Sequence, residues 1–340
     1  MAAEPIGDVR LPGVIMLGLL QEGWQLLRRH KKAVIYLYLA NLFVASLLLF
    51  PFMQVFEDSL GPGLYREKLV GELDYDWYGL FQDRVTGFAS TFAPWVLGGG
   101  PFARNLELLL DGELTQLPWA IISLGVLYIL LNSFLLAAAV GSFALEPQGT
   151  GIRQFFRNGG LFFGRFFRLA VLAVLAFWFV ASWMVEPLGE LVEYLTNRAL
   201  TDRVAFYWNL ARYLIVLGIF LFLNMLFDYA KIQTAVENRT SVLLAFISAV
   251  RFCVRYFFAA FGFYLLITAL GLAWVILYTS LEGLLPQQSW GTILLAIIGQ
   301  QLYLMGRLMV KLLFYSGQMQ FYLGKEMKYG MKYVEYGDRL

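Results

Sequence analysis

The chain has 340 residues, 59% of them hydrophobic and 15% charged, with a mean hydropathy of +0.64. Soluble domains carry about 25% charged residues, so the deficit excludes an ordinary water-soluble globule and points to lipid as the main solvent. A single Cys and a single His exclude a disulfide framework and a Cys/His zinc site, and a net charge of +2 gives no reason to expect nucleic acid as a partner.

In chain order, residues 1–32 form an N-terminal tail with a short apolar stretch, Gly13–Leu27, cut by Gln21 and Glu22. It falls short of the roughly 20 residues a membrane span needs, so an interfacial helix is expected. The cluster Arg28-Arg29-His30-Lys31-Lys32 follows with no small-residue cleavage site, which argues for a retained first span. His30 is expected to join these cations in attachment to anionic lipid.

Six longer apolar stretches succeed one another: Ala33–Val55, Trp119–Phe143, Leu169–Val185, Asn209–Ala230, Phe257–Leu281 and Thr292–Leu313. The expected fold is therefore an all-α membrane protein with six transmembrane helices in three hairpins. Residues 33–145 hold the first hairpin with its long outer segment 57–118. Residues 146–236 and 237–323 hold the second and third, each opening with an elbow helix, and 324–340 form a tail. Segments 1–32, 146–168, 231–255 and 325–340 carry 17 Lys and Arg, whereas 57–118, 186–207 and 282–291 carry 6. The positive-inside rule then places both termini in the cytoplasm of a multi-pass protein of the bacterial inner membrane.

Within 57–118 the aromatics Tyr75, Trp77, Tyr78 and Phe81 argue for a structured cap, with a short amphipathic helix over Asp76–Ser90. The run Gly98–Gly100 lacks the Lys-Ser/Thr of a phosphate loop and reads as a turn. Between spans three and four, Glu186, Glu190 and Glu193 share one face and Leu188, Leu191 and Leu195 another, predicting a short surface helix.

A shift of 90 residues lays Phe156 on Phe246, Phe162 on Phe252, Arg165 on Arg255 and Phe166 on Tyr256. The N-terminal stretch matches less well. Each unit reads as elbow helix, span out, outer loop and span back, which is a threefold repeat. Chance matching in Phe/Leu/Arg-rich sequence is the competing account.

Trp208 and Trp290 mark the outer ends of spans four and six. Twenty residues on, about one hydrocarbon thickness at ~1.5 Å per residue, stand Asp228 and Val310. Asp228, Arg307 and Lys311 thus share one depth, near Arg165 and Arg255, with Asn224 one turn away and Lys231 within i+3 reach. Two readings stand. Either Asp228 pairs with Arg307 or Arg255 to lock the helices, or Asp228, Asn224, Arg165, Arg255, Arg307 and Lys311 form an anion or lipid-headgroup site. Asn132, Gln300 and Gln301 are expected to bond between helices. Cys253, among Phe252, Val254 and Tyr256, reads as a small apolar filler. No HExxH, GxSxG or P-loop occurs, so no catalytic residue, cofactor or metal is expected. Membrane lipids and other membrane subunits are the expected partners.

Two motifs carry a family resemblance. One is Phe156, Gly159, Gly160, Phe163, Gly164, Arg165, Phe166, Arg168 and Leu169; the other is Asp228, Ala230, Glu237, Asn238, Ser241, Ala245, Ala249, Arg251 and Phe252. In these the chain resembles a group of uncharacterised bacterial six-transmembrane integral membrane proteins. More distantly, its layout is similar to the membrane domain of some glycerophosphodiester phosphodiesterases. The resemblance implies a helical membrane fold without their hydrolase activity. The function expected is a non-enzymatic membrane subunit, scaffold or accessory component; the alternative is a transporter or lipid-handling protein with a cleft between hairpins.

Overall fold

The computed structural model describes residues 12–60, 75–84, 119–146, 148–196, 202–282, 284 and 289–327. Among them every regular element is a helix: α1 (Pro12–Arg29), α2 (Lys31–Leu60), α3 (Tyr75–Arg84), α4 (Trp119–Leu145), α5 (Ile152–Val180), a π-helical turn (Ala181–Val185), α6 (Glu186–Thr196), α7 (Asp202–Val236), α8 (Val242–Arg255), α9 (Phe257–Glu282) and α10 (Trp290–Met327). Five helical stretches are long and apolar enough to cross a membrane, and six if the bent α2 is one span. Gly98–Gly100, most of the segment 57–118 and residues 328–340 of the tail lie outside the described residues.

Local chemistry sets where these helices start, bend and stop. The two parts of α2, Lys31–Leu47 and Phe52–Ser59, meet at 41° around Pro51, which has no N–H to continue the helical ladder. Pro187 acts similarly. It cannot bond to the carbonyl four residues back, and the chain widens into the π turn just before it. Two residues before the proline, the Val185 carbonyl accepts from Arg212 Nη2 at 3.2 Å. A short helix is present where one was expected, as α6, and it continues α5 in one helical run, Ile152–Thr196. Its leucines Leu191 and Leu195 are exposed, and Val192 is the buried residue.

At the other end of the bundle α1 and α2 break at His30, and α8 and α9 break at Tyr256, whose φ of −115° and ψ of 30° leave the helical region. The equivalent place in α5 does not break. Asn238 follows α7 at φ +50°, a conformation Asn tolerates better than most residues, and Ser241 caps α8 by accepting from the Leu244 N–H.

The helices pack with threefold regularity. The returning helices α4, α7 and α10 touch one another around the centre. Around them α2 sits between α10 and α4, α5 between α4 and α7, and α9 between α7 and α10. Each elbow segment lies on the returning helix of the preceding unit: α5 on α4, α8 on α7, and α1 on α10, so the N-terminal helix closes the ring. Small residues make these crossings close. A Cβ on Gly23 of α1 would stand 2.7 Å from the Gly317 Cα of α10. One on Gly159 of α5 would stand 2.9 Å from the Phe134 ring and 3.1 Å from the Ala138 Cβ of α4. Ala249 of α8, ninety residues after Gly159, is wholly buried. The threefold pattern is therefore a property of the packing as well as of the sequence.

Burial is concentrated at the end of the bundle bearing the breaks, here the elbow end. On the outgoing helices burial within the spans reaches Leu37, Leu169 and Ile267; on the returning helices it begins at Ser133, Met225 and Leu312. Beyond those residues, towards the far end, the described span residues of α2, α4, α5, α7, α9 and α10 are half-buried or exposed. At the far end α3 packs on the tip of α2, with Trp77 and Phe81 buried and the Trp77 ring 5.2 Å from that of Phe56.

Candidate functional site

On α7, Asn224, Asp228 and Lys231 fall at i, i+4 and i+7, so the helical repeat puts them on one face. On α10, Arg307, Lys311 and Tyr315 fall at i, i+4 and i+8, again on one face. The two helices bring Asp228, Lys231, Lys311 and Tyr315 together in the elbow half. Asp228 is 4% exposed. Lys231 Nζ stands 3.2 Å from its Oδ1 and donates to the Tyr315 hydroxyl at 3.0 Å. Lys311 Nζ donates to Asn132 Oδ1 of α4 at 2.8 Å. Asn224 Nδ2 donates to the Tyr264 hydroxyl of α9 at 2.6 Å. One face of polar residues thus ties the three returning helices and α9 at a common depth.

The pairing differs from the one expected. The ion-pair partner of Asp228 is Lys231 on its own helix, three residues on, and not Arg307 or Arg255. Lys231 is within reach on the same helix, whereas Arg307 and Arg255 are exposed. Arg255 lies over the Tyr256 ring at 5.4 Å. Arg165 reaches the turn after α7, donating to Asn238 Oδ1 at 2.6 Å. Of the six residues expected to form one anion site, the structure places Asp228, Asn224 and Lys311 in the polar layer, sets Arg307 on its exposed margin, and puts Arg165 and Arg255 at the elbows. Asn132 and Gln301 do bond between helices, the latter accepting from Tyr38 of α2 at 2.6 Å; Gln300 is exposed.

Several functional-looking groups were not legible beforehand. Tyr315 and Tyr264 read as ordinary span aromatics, although the spacing Lys311–Tyr315 was a usable signal. Nearer the elbows, Gln233 and Gln318 are buried, and both atoms of each amide lack a hydrogen-bond partner among the described residues. The Asn158 amide donates to Ser142 Oγ at 3.2 Å, both side chains being buried. His30, expected at the lipid surface, is instead 4% exposed, with Nδ1 3.0 Å from the Leu26 carbonyl and its ring edge-on to Phe143 at 5.1 Å. The break between α1 and α2 turns it inward, away from its cationic neighbours.

Cys253 is free and buried. Burial first, and then the nearby Asp228 carboxylate, push its thiol up to about 12. A thiol held neutral in this way is a packing element and a poor nucleophile. Among the described residues no group of three or more His, Cys, Asp or Glu side chains converges as a metal site would require.

Between α2 and α4, Leu37, Ala40, Asn41, Val44, Tyr128, Leu131, Asn132 and Leu135 line a groove enclosing about 10 Å³, room for about one water molecule. Asn132 therefore has two roles: it lines this groove and accepts from Lys311 behind it. Charge in this layer does not balance. The charges that act on Lys311 are Lys231 and Arg307 against the carboxylate of Asp228, and Lys231 already occupies that carboxylate.

No protein-family model, no curated protein and no solved structure matches the chain.

Proposed function

We propose that this chain is a non-enzymatic polytopic membrane subunit, a scaffold or accessory component around which other membrane proteins assemble. The proposed setting is the bacterial inner membrane, with the basic elbow end and both termini in the cytoplasm, as the distribution of Lys and Arg supports. The observation that carries the reading is how the polar layer is spent. Its one carboxylate is taken by Lys231, its amides and hydroxyls bond from helix to helix, and the groove beside it has room for about one water. Ligand and substrate sites ordinarily enclose hundreds of cubic ångströms. Outward, α2 presents Leu39, Leu42, Phe43, Leu49, Phe50 and Met53, an apolar stripe available to lipid or to another helix.

Native mass measurement of the protein extracted in mild detergent tests this. A stoichiometric protein partner is the expected result, and a lone protomer retaining lipid overturns it. The exposure of the span residues towards the far end favours a second reading, a transporter or lipid-handling protein with a cleft between hairpins. That reading requires water to reach mid-depth. Cysteines placed along the far halves of α4, α7 and α10 and labelled with a water-soluble reagent would report such access.

A further inference from the structure

From the exposed face of α5 we infer a docking surface for anionic phospholipids. Their headgroups sit among Arg157, Gly160, Gly164 and Arg168, and their acyl chains run along the apolar residues that follow. The inference goes beyond the subunit reading and does not depend on it. Residues 152–168 carry four arginines and no acid. Arg153, Arg157 and Arg168 are exposed and fall at i, i+4 and i+15, a spacing that keeps them on one helical face. Arg157 stays 67% exposed although Glu146 Oε1 is 3.8 Å away. Arg168 has no acidic partner among the described residues. Its Nε donates to the Gly164 carbonyl at 3.0 Å, which lays the guanidinium back along the helix towards Gly160.

Glycine makes room between these cations. Packing requires Gly159, whose Cβ would stand 2.9 Å from the Phe134 ring; it does not require Gly160 or Gly164, where a Cβ would meet nothing within 4 Å. Glycine weakens a helix interior, so two glycines that packing does not need leave bare backbone between two arginines. The repeat draws the same line. Ninety residues on, Gly159 is answered by Ala249 and Arg165 by Arg255. Arg157, Gly160, Gly164 and Arg168 are answered by Ile247, Val250, Val254 and Phe258. The threefold architecture thus accounts for the packed side of α5 and not for this exposed one.

What covers the face follows from its continuation. Past Arg168 the same face carries Val171, Leu175 and Trp178, which are 42%, 55% and 52% exposed. No charged residue occurs between Arg168 and Glu186. Cations that end where an exposed, uncharged run begins match an amphiphile with an anionic head and apolar tails. An acidic soluble protein would leave the apolar half uncovered, and a neutral spanning helix would leave the arginines without anions. Guanidinium groups bind phosphate oxygens in pairs, and each arginine beside an anionic leaflet strengthens binding about fivefold.

The test reconstitutes the purified full chain in vesicles of equal parts phosphatidylcholine and phosphatidylglycerol, with a trace of one or the other carrying a photoreactive acyl chain. After irradiation, lipid adducts on residues 152–180 are measured. Photoreactive phosphatidylglycerol is expected to label this stretch at least about fivefold more than photoreactive phosphatidylcholine. Arg157→Gln together with Arg168→Gln should bring the two lipids to near equality. Arg157→Lys together with Arg168→Lys should keep most of the preference, which controls for any effect on folding. Gly164→Leu fills the gap without removing a charge and should lower the preference several-fold. Arg307→Gln, at an exposed cation on another helix, should leave it unchanged. The inference is overturned by equal labelling from both lipids in the parent protein, by indifference to the glutamine pair, or by an equal loss with Arg307→Gln. Suppression by glycerol phosphate would overturn it too, since the ligand would then be a soluble phosphate ester.

Discussion

The two halves of this bundle are built from the same helices and differ in nearly everything else. In the elbow half the three hairpins meet. Tyr229, Ile232, Phe263, Leu312 and Met319 are 0% exposed or close to it, and Ser142, Gln233, Thr234, Ser316 and Gln318 are buried among them. In the far half the ring contacts stay within a hairpin, and one side-chain bond, from Tyr38 to Gln301 at 2.6 Å, crosses between hairpins. Phe177 stacks on Phe220 at 5.7 Å in the second, and Tyr278 on Tyr303 at 4.3 Å in the third. In lipid no hydrophobic force draws apolar helices together, so association depends on close packing and polar contacts. The elbow half has both; the far half has apolar side chains that lipid solvates equally well. Cohesion should therefore reside in the elbow half, and the far half should tolerate change.

Removing the buried carboxylate is the most severe way to test that division. Asp228→Leu leaves Lys231 without its counter-charge inside the elbow half, and breaking a buried pair from one side costs about 3–5 kcal/mol. The expected result is a large loss of thermal stability in detergent. Adding Lys231→Met should recover most of it, because the apolar pair leaves no stranded charge. Equal melting of Asp228→Leu and the parent protein would show that the polar layer does not hold the bundle.

The closing contact of the ring comes next. Gly23→Leu pushes a side chain into the backbone of Gly317, where even a Cβ would be 2.7 Å away. Neither backbone can yield without separating α1 from α10. Overpacking of this kind costs roughly 1–3 kcal/mol, and limited proteolysis between α1 and α2 should become at least several-fold faster. A cleavage rate equal to that of the parent would mean that α1 is not the ring's closing element.

These two sites also show what sequence could and could not reveal. The long apolar helices were legible because hydropathy reports solvent directly, and the nearness of Asp228 to Lys311 was legible from counting ~1.5 Å per residue along their helices. The choice of Lys231 over Arg307 was not legible, since it turns on which face of α10 looks inward, and an almost uniformly apolar helix hides its inward face. His30 fails for a related reason: one non-helical residue between α1 and α2 rotates it from the basic cluster to Phe143. The repeat predicted an elbow in α5 as in α8, yet Arg165–Phe166 lies within an unbroken helix where Arg255–Tyr256 ends one. Offsets between copies record ancestry of pattern, and a break of one residue is settled by packing. Gly159 and Ala249 show the converse, since the repeat places both at tight crossings and both are buried.

Cys253 reports on the elbow half without straining it. A thiol in a loosely packed, wet interface would titrate near 8.5, and labelling by a thiolate-selective reagent would rise about tenfold per pH unit below that value. Burial and the Asp228 carboxylate both disfavour the anion, which raises the thiol to about 12. Labelling of the folded protein should therefore be about a thousandfold slower and still rising at pH 9, whereas labelling of the protein unfolded in strong detergent should level off above about 8.5. A plateau above about pH 8.5 in the folded protein would mean that water enters between α7 and α8.

The smallest effect is expected in the far half of a helix whose other half is the centre of the molecule. Gly218 lies in α7 ten residues before Asp228, and a Cβ there would meet nothing within 4 Å. Gly218→Ala should be neutral, or stabilising by at most the ~1 kcal/mol by which Ala exceeds Gly in a helix. Gly141→Ala, in the elbow half of α4, differs only in place: its Cβ would stand 2.8 Å from the Phe162 ring, itself 1% exposed. That ring has little room to move, so this substitution should destabilise. The pair makes the same chemical change on two returning helices, so helix propensity cancels and the difference in melting temperature isolates packing. Equal shifts for both would place cohesion along the whole length of the bundle and remove the distinction between its halves.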